Sequence, residues 1–461
     1  MARKGQPINA DVPEARAVKA PAKPSSNLPD PPPPTRRDPA PGPKPTAPPK
    51  PPSSPKVRRR SIPTALKAIG GLVLVAVVFI VAAILGGGSN DGGSIPGAAP
   101  TGEPPAQTTN APTTQPPSEL GYPEFATNNT TRVGGADPAS NAAGVALAAY
   151  PSTDEGQRPK TVTLVDPGDW QSSIAAAVLM AEPLRSPLLV SEADGLPEAT
   201  MAALDALDPQ GATDGSAQVF AIGAAAVPSD LKSIPVEGTG AAGAAAIAKL
   251  RDKLFSAAPR HVLIAPSAQP GFAMPAAAWA ARSGDPVLFT GKDKLPPPTA
   301  KALKRHPDIP VYVLGPSSAI SSEVVRRIAK IDEKVRRVSG EDPVANAIAL
   351  ARYADGDFGW NVNDPGHGFV VARSDSPLDA AAAAPLSASG TWGPLLLTDS
   401  ADTLPAALRD YLLDVKPGYT TDPTRAFYNH VWVIGNQDAI DVSQQAEIDE
   451  LAELARIGGE P

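Results

Sequence analysis

Residues 132–142 read RVGGADPASNA, and residues 337–347 read RVSGEDPVANA. The two stretches share Arg, Val, Gly, Asp, Pro, Asn and Ala in the same register, 205 residues apart. Half of that separation, about 100 residues, is the length of a small domain. A middle copy begins near Val236 with VEGTGAAGAAAIAKL, which keeps the Gly and Ala spacing. Internal repetition therefore divides this region into three copies.

Each copy continues with the same succession of apolar strands and Ala-rich helical stretches. The first strand lies at 161–165, 262–265 and 369–372, the second opens with Pro187, Pro286 or Pro394, and the third ends at Gly223, Gly315 or Gly435. Short apolar strands that alternate with helices indicate parallel strands covered on both faces. The predicted fold class is therefore α/β, with three tandem small doubly wound parallel-sheet modules at 132–234, 235–336 and 337–457, in which the strand that opens with proline is expected among the central strands.

The chain before the repeats has a different composition. Residues 1–61 hold 18 of the 57 prolines and few large apolar residues, so they cannot bury enough surface to offset chain entropy. This segment is predicted to be a disordered, Pro-rich arm. Residues 89–131 are rich in Gly, Pro, Ser and Thr, which predicts a flexible linker.

One apolar segment separates the arm from the linker. Residues 68–86 read AIGGLVLVAVVFIVAAILG, and no charged residue lies between Lys67 and Asp91. This matches the roughly 20 apolar residues needed to cross a bilayer, and it predicts a transmembrane helix over 66–88. A cleaved signal peptide would have a shorter apolar run. Basic residues precede the span, so the N-terminus is predicted to be cytoplasmic and the C-terminal region extracytoplasmic, in a single-pass protein of the cell membrane.

Charge is distributed unevenly along the chain. Residues 1–67 contain 14 basic and 4 acidic residues, a net charge of +10, and the remainder contains 27 basic and 44 acidic residues, a net charge of −17. The basic arm is either a spacer that contacts lipid headgroups or a docking tail for a cytoplasmic partner that recognises polyproline. The acidic ectodomain opposes the approach of polyanions, so we expect no nucleic acid partner.

The sequence offers little for catalysis. There are no cysteines, and the four histidines show no paired spacing that suits a metal. Residues 238–243 match the dinucleotide pattern G-x-G-x-x-G, but the next strand leads to Pro266-Ser267 rather than to an acidic residue. A Gly-rich start of a helix is the favoured interpretation. We expect no enzyme activity, no cofactor and no metal.

Charged residues in the repeated motif are the candidate binding residues. The guanidinium groups of Arg132 and Arg337 could pair with a phosphate or carboxylate of a polymer, or could form salt bridges between modules. Asp137 and Asp342 precede proline and an Ala-rich helix, so their simplest role is to cap the helix N-terminus. A ligand or cation role is the alternative.

These features resemble the cell wall-binding repeat 2 family of Gram-positive surface proteins over roughly residues 130–457. The family's opening pattern, Arg-Ile-Ala-Gly-x-Asp-Arg-Tyr-x-Thr-Ala, is similar to 132–142 and 337–347, although Pro138-Ala139 and Pro343-Val344 replace its Arg-Tyr pair. Its Pro-Ile-Leu-Leu-Thr strand is matched by the strands that open with proline. Its Asp-Ala-Leu-Ser-Ala helix start survives as Asp379-Ala380-Ala381.

The resemblance implies three modules packed about a pseudo-threefold axis that bind cell-wall polymer, either an anionic secondary polymer or a peptidoglycan-linked glycan. The predicted polymer-binding residues are Arg132, Asp137, Arg337, Asp342, Asp379, Pro187, Leu188, Leu189, Pro394, Leu395 and Leu396. The expected function is that of a membrane-anchored envelope protein whose repeats tether the membrane to the wall. The alternative is a protein-interaction scaffold that links a membrane complex to the envelope without binding glycan.

Overall fold

A computed structural model describes residues 125–212, 217–388 and 393–458. The predicted disordered arm, the predicted transmembrane helix over 66–88 and nearly all of the predicted linker lie outside these residues. Within the described ranges, none of the helices has both the length and the apolar character that crossing a bilayer requires.

Short strands and helices alternate along the described chain. The strands are β1 (Phe125–Ala126), β2 (Thr130–Val133), β3 (Val162–Val165), β4 (Leu188–Val190), β5 (Val219–Ile222), β6 (Ser233–Val236), β7 (Val262–Pro266), β8 (Val287–Thr290), β9 (Val311–Leu314), β10 (Val335–Val338), β11 (Gly368–Arg373), β12 (Leu395–Thr398), β13 (Gly418–Tyr419), β14 (His430–Ile434) and β15 (Ala455–Arg456). The α-helices are α1 (Pro138–Ala149), α2 (Trp170–Ala176), α3 (Glu198–Leu207), α4 (Gly240–Leu254), α5 (Pro270–Ala273), α6 (Pro275–Ser283), α7 (Pro297–Leu303), α8 (Ser322–Ile328), α9 (Pro343–Arg352), α10 (Pro377–Ala382), α11 (Ala384–Ala388), α12 (Ala406–Asp414) and α13 (Val442–Ala452). Short 3₁₀ helices lie at Glu155–Gln157, Ala177–Met180 and Pro423–Arg425.

Parallel sheets form the framework of the described chain. The first sheet has the strand order β4–β3–β5–β6, the second β8–β7–β9–β10, and the third β12–β11–β14–β2, with β1 antiparallel beyond β2. In each sheet the strand that opens with proline lies at one edge, beside β3, β7 or β11, so the prediction that it is a central strand is wrong. The prediction of small α/β modules with parallel sheets is confirmed.

Each sheet ends in a strand that belongs to the next copy. β6 opens the second copy but pairs with β5 of the first sheet, and β10 opens the third copy but pairs with β9 of the second. β2 opens the first copy and pairs with β14 of the third sheet, where Val133 lies beside Ile434. The boundaries predicted at residues 132, 235 and 337 each fall inside such a shared strand. The sharing closes the three copies into a ring.

The helix that follows each shared strand packs against the sheet of its own copy. α1 packs against β4, α4 against β8 and α9 against β12. The chain must therefore turn sharply between strand and helix. Gly134 makes this turn with a φ of +123°, a conformation that side chains with a Cβ rarely adopt.

Ala-rich helices of all three copies meet at the centre of the ring. The 3₁₀ helix at 177–180 contacts α6. α2 contacts both α6 and α10, and α11 contacts α6. Alanines in these helices are almost fully buried, because small side chains let the helices approach closely. Such mutual contact is expected for packing about a common axis.

Both faces of the second sheet are covered. Val262 and Ile264 belong to an outer core with Val324, whereas Leu263 and Ala265 between and beyond them belong to the central core. Alternate side chains of one strand therefore enter different cores, as expected for a doubly wound sheet.

Candidate binding site

Arg132 is fully buried where β2 joins the third sheet. Its Nη1 donates to the carbonyl oxygens of Gly435 and Asn436 at 2.8 Å each, and its Nη2 donates to the carbonyl oxygen of Ile440 at 2.6 Å. Its Nε donates to Oε1 of Gln445 at 3.0 Å. Arg132 therefore joins the first copy to the last through neutral acceptors.

Arg337 has the corresponding position in the second sheet. It is half-buried, and its guanidinium donates to the carbonyl oxygens of Gly315 and Ile320. Burial lowers the pKa of Arg337 below its usual value. In the first sheet the equivalent residue, judged by strand register, is Pro235. Both arginines connect copies, and their pairing with polymer charge stays a prediction.

The repeated aspartates cap helices. Oδ1 of Asp137 accepts hydrogen bonds from the backbone N–H groups of Ala139 and Ser140 at 2.9 Å each. Oδ1 of Asp342 accepts one from the N–H of Ala345 at 2.8 Å. The capping interpretation is confirmed. Both carboxylates are exposed, so a ligand or cation can reach them.

Asp379 is a buried carboxyl group between copies. It lies on α10 of the third copy and accepts a hydrogen bond of 2.9 Å from Nδ2 of Asn141, on α1 of the first copy. Burial raises the pKa of Asp379 to about 6. The hydrogen bond from Asn141 works against this rise, and the negative charges of Asp137 and Asp375 add to it. Asp379 is therefore placed to hold two copies together.

The two proline-led segments of the predicted site are buried. Pro187, Leu188 and Leu189 precede and form β4, and Pro394, Leu395 and Leu396 precede and form β12. Both strands lie at the edge of their sheets, but their side chains point into the cores. Polymer binding by these six residues stays a prediction.

The helix N-terminus in the glycine pattern at 238–243 is bound by a side chain of the first copy. Oδ2 of Asp169, from the first copy, accepts a hydrogen bond of 2.9 Å from the N–H of Gly240 at the start of α4. Its Oδ1 accepts from the N–H of Ser172 at 3.2 Å. A carboxylate thus takes the helix N-terminus where a pyrophosphate would otherwise bind.

A cavity of about 320 Å³ lies where the third copy covers the second. His261 lies directly before β7 and Asp285 lies two residues before β8, which places the cavity at the amino ends of the second sheet. The buried residues that line it are His261, Trp279, Asp285 and Trp360. The exposed residues that line it are Arg260, Arg282, Ser283 and Asp357. It therefore has a buried floor and an exposed polar rim.

Two carboxylates hold the imidazole of His261. Its Nδ1 lies 2.9 Å from Oδ2 of Asp285, and its Nε2 lies 3.1 Å from Oδ1 of Asp357. Burial works against the protonated ring, but the two carboxylates outweigh it and raise the pKa of His261. Asp285 also accepts from Nε1 of Trp279 at 3.1 Å, and Arg260 pairs with Asp357 at 2.7 Å. The polar groups of the floor are therefore fixed in place.

Phe358 fixes the covering loop, which lies between α9 and β11. Its ring is stacked on Tyr312 at 3.5 Å between centroids and meets Trp279 edge-on at 4.9 Å. The hydroxyl of Tyr312 donates to Oδ2 of Asp355 at 2.7 Å. The sequence analysis did not predict this cavity. Two aromatic residues around a glycine, Phe358 and Trp360, were the available signal.

Among the described residues, no group of three or more His, Asp or Glu side chains is arranged to hold a metal ion. In the cavity, Asp285 also accepts hydrogen bonds from the backbone N–H groups of Arg260 and His261 at 3.0 Å each.

Comparison with known proteins relates the chain to one family and to solved structures. The sequence model of cell wall binding domain 2 (CWB2) matches residues 241–325 and 337–445. Cwp6 from Clostridium difficile has a TM-score of 0.56 and 21% identity, over 70% of this chain and 48% of that chain. Cwp8 from Clostridium difficile has a TM-score of 0.53 and 20% identity, over 71% and 52%.

The chain spans about half the length of both structures, and at this identity the likeness shows the fold alone. A comparison with curated proteins finds no match. The first copy lies outside both segments that the family model matches.

Proposed function

We propose that this chain, which carries repeats of the cell wall binding domain 2 family, binds a cell-wall polymer through its ring of three copies. The observation that carries the proposal is the family match over residues 241–325 and 337–445. The ligand would be an anionic secondary polymer or a peptidoglycan-linked glycan. The predicted extracytoplasmic region, residues 89–461, would then lie at the cell wall.

Electrostatics constrain how such a polymer would bind. Residues 68–461 carry a net charge of −17, so long-range repulsion opposes a polyanion, most strongly at low salt, where the Debye length is about 30 Å at 0.01 M. Binding would therefore depend on local contacts, or on a divalent cation that bridges polymer and exposed carboxylates such as Asp137 and Asp342. Moderate salt or added Mg²⁺ would strengthen it.

The N-terminal part of the chain would determine what wall binding achieves. The apolar segment 66–88 would anchor the protein in the membrane, so wall binding would tether the membrane to the wall. The part of the linker before β1, residues 89–124, would average roughly 30–35 Å as a loose coil, which would lift the repeats off the bilayer. The basic arm would remain in the cytoplasm.

The repeats would act by binding, without catalysis. His261 is paired with carboxylates at both ring nitrogens, which gives it no nucleophile to activate. We expect no hydrolysis of peptidoglycan or nucleotides. Robust turnover that one substitution abolishes would contradict this part of the proposal.

Co-sedimentation with purified sacculi tests the proposal. The full chain in mild detergent is mixed with sacculi that retain their secondary polymers and with sacculi stripped of them. We expect saturable binding to one or both, and loss on stripping would identify a secondary polymer. Failure to bind either preparation, with and without Mg²⁺, would contradict wall binding and favour the protein scaffold.

A further inference from the structure

We propose that the cavity between the second and third copies is a saccharide subsite for one sugar unit that carries an anionic substituent. The inference rests on the proposed function, because it names the part of the wall polymer that the ring would hold. None of the residues predicted from the repeated motif lines this cavity.

The size and floor of the cavity suit a sugar. Its volume of about 320 Å³ lies at the lower end of the roughly 300–1,000 Å³ usual for ligand pockets. Trp279 and Trp360 meet edge-to-face at 5.6 Å between centroids in the floor. Indole groups offer apolar surface to the C–H groups of a pyranose ring and are polar at one edge. The floor therefore combines apolar contact with fixed polar groups.

The rim provides the charge chemistry. Arg282 and Arg260 bring guanidinium groups there, both residues are exposed, and Arg260 keeps donors beyond the one that pairs with Asp357. Guanidinium binds carboxylate and phosphate groups in a bidentate manner. Asp357 can accept hydrogen bonds from sugar hydroxyl groups on the same rim. A sugar with one negative substituent matches this pairing of donors and acceptor.

Comparison with two other cavities favours this one for an anionic ligand. A cavity of about 490 Å³ on the first copy combines Arg158 with the acidic Asp205, Asp208 and Asp230, so it repels anions. A cavity of about 380 Å³ shares Arg282 and Ser283 with the proposed subsite and adds Arg185, but Glu182 in its lining pairs with Arg185.

Tryptophan fluorescence and calorimetry of the full chain in detergent test the subsite. The probes are a disaccharide of N-acetylglucosamine and N-acetylmuramic acid, which carries a carboxylate, N-acetylglucosamine 1-phosphate, which carries a phosphate, and neutral chitobiose. We expect saturable binding of at least one anionic probe and weaker binding of chitobiose. The preferred anionic probe distinguishes a carboxylate from a phosphate.

Arg282→Gln should weaken the binding of the anionic probe by about tenfold, which is the effect of losing one charge-assisted hydrogen bond. Arg326→Gln removes the same charge from the exposed face of α8, outside the cavity, and should leave binding unchanged. Equal melting temperatures of the two variants would show that folding is intact. Trp360→Phe should reduce the fluorescence response to the probe.

Absence of probe binding, or equal affinity of the wild-type chain and Arg282→Gln, would overturn the subsite. The sacculus assay separates the two proposals. If the wild-type chain binds sacculi and Arg282→Gln binds them equally well, the subsite fails and wall binding stands. If the wild-type chain does not bind sacculi, wall binding itself fails.

Discussion

Asn141 and Asp379, which lie 238 residues apart in the sequence, form a buried hydrogen bond of 2.9 Å between the first copy and the third. The partner of the amide is a carboxyl group whose pKa burial raises to about 6. A neutral carboxyl group is therefore easier to hold at this junction than a charged one. We therefore expect the stability of this junction to depend on pH.

Asp379→Asn should stabilise the protein at pH 7.5. A carboxyl group with a higher pKa in the folded chain contributes stability when protonated, and that contribution is lost as the pH rises through about 6. A difference of about two in pKa corresponds to about 3 kcal/mol. Urea unfolding should show the variant more stable than wild type at pH 7.5, with the difference vanishing near pH 4. A less stable variant at pH 7.5 would show that the charge itself is needed.

Arg132→Ala should strongly destabilise the ring. The substitution leaves the buried carbonyl groups of Gly435 and Ile440 without this donor, and each unsatisfied buried acceptor costs about 1–3 kcal/mol. We expect a loss of about 3 kcal/mol or more in the free energy of unfolding. Arg337→Ala should cost less, because Arg337 is only half-buried. Arg326→Ala is the exposed control, and a similar loss there would contradict the explanation.

Removal of the shared strand should loosen the third sheet selectively. In a chain that lacks residues 125–133, β14 loses the neighbour that covers Val431 to Ile434. Hydrogen exchange should then speed up at the backbone N–H of Val431, which donates to the carbonyl oxygen of Asn129. Amides of β7 in the second sheet should lose less protection than Val431, since β7 belongs to a different sheet from the deleted strand. Unchanged protection of Val431 would mean that β2 contributes little to the sheet.

His261 should titrate above the ordinary histidine range. Asp285 and Asp357 favour the protonated ring, so its NMR titration midpoint should exceed 6.5. The stability that this pairing contributes is present below pH 6.5 and is lost as the pH rises through the raised pKa. Asp285→Asn should lower the midpoint, and His261→Gln identifies the signal among four histidines. A midpoint that Asp285→Asn leaves unchanged would count against the pairing.

Protease accessibility tests the predicted topology. A protease added to intact, wall-stripped cells should cut within 89–131 and release a folded fragment, because the linker is predicted to be extracytoplasmic. The arm at 1–61 should be protected until the membrane is permeabilised. Cleavage of the arm with protection of the linker would reverse the orientation.

The sequence predicted the modules well because each strand carries its own signal. The apolar runs at Leu188–Val190 and Leu395–Thr398, with their leading prolines, form parallel strands as predicted, but they lie at the edges of their sheets and not at the centre, where they were expected. The exchange of strands between copies could not be predicted in the same way. A repeated Arg-Val strand has the same pattern whichever sheet it joins, and only the turn at Gly134 separates strand from helix.

The site was harder to predict than the fold. A charged residue in a repeated motif suggests a ligand, yet Arg132 is buried against carbonyl groups of another copy. Burial depends on the ring, which the sequence of one copy does not contain. The cavity around His261 was hard to predict for the same reason, because Asp357 comes from a loop 96 residues away in the sequence.

The position of the shared strand β2 in the sequence also affects the order of folding steps. During synthesis it is made first, and its partner β14 follows only about 300 residues later, so β2 must wait for the last copy before it can pair. The sequence separation of this pairing should make completion of the third sheet the slowest step of folding. A permuted chain in which residues 125–133 follow residue 458 through a flexible connection should refold faster than the natural order. Equal refolding rates would place the slow step elsewhere.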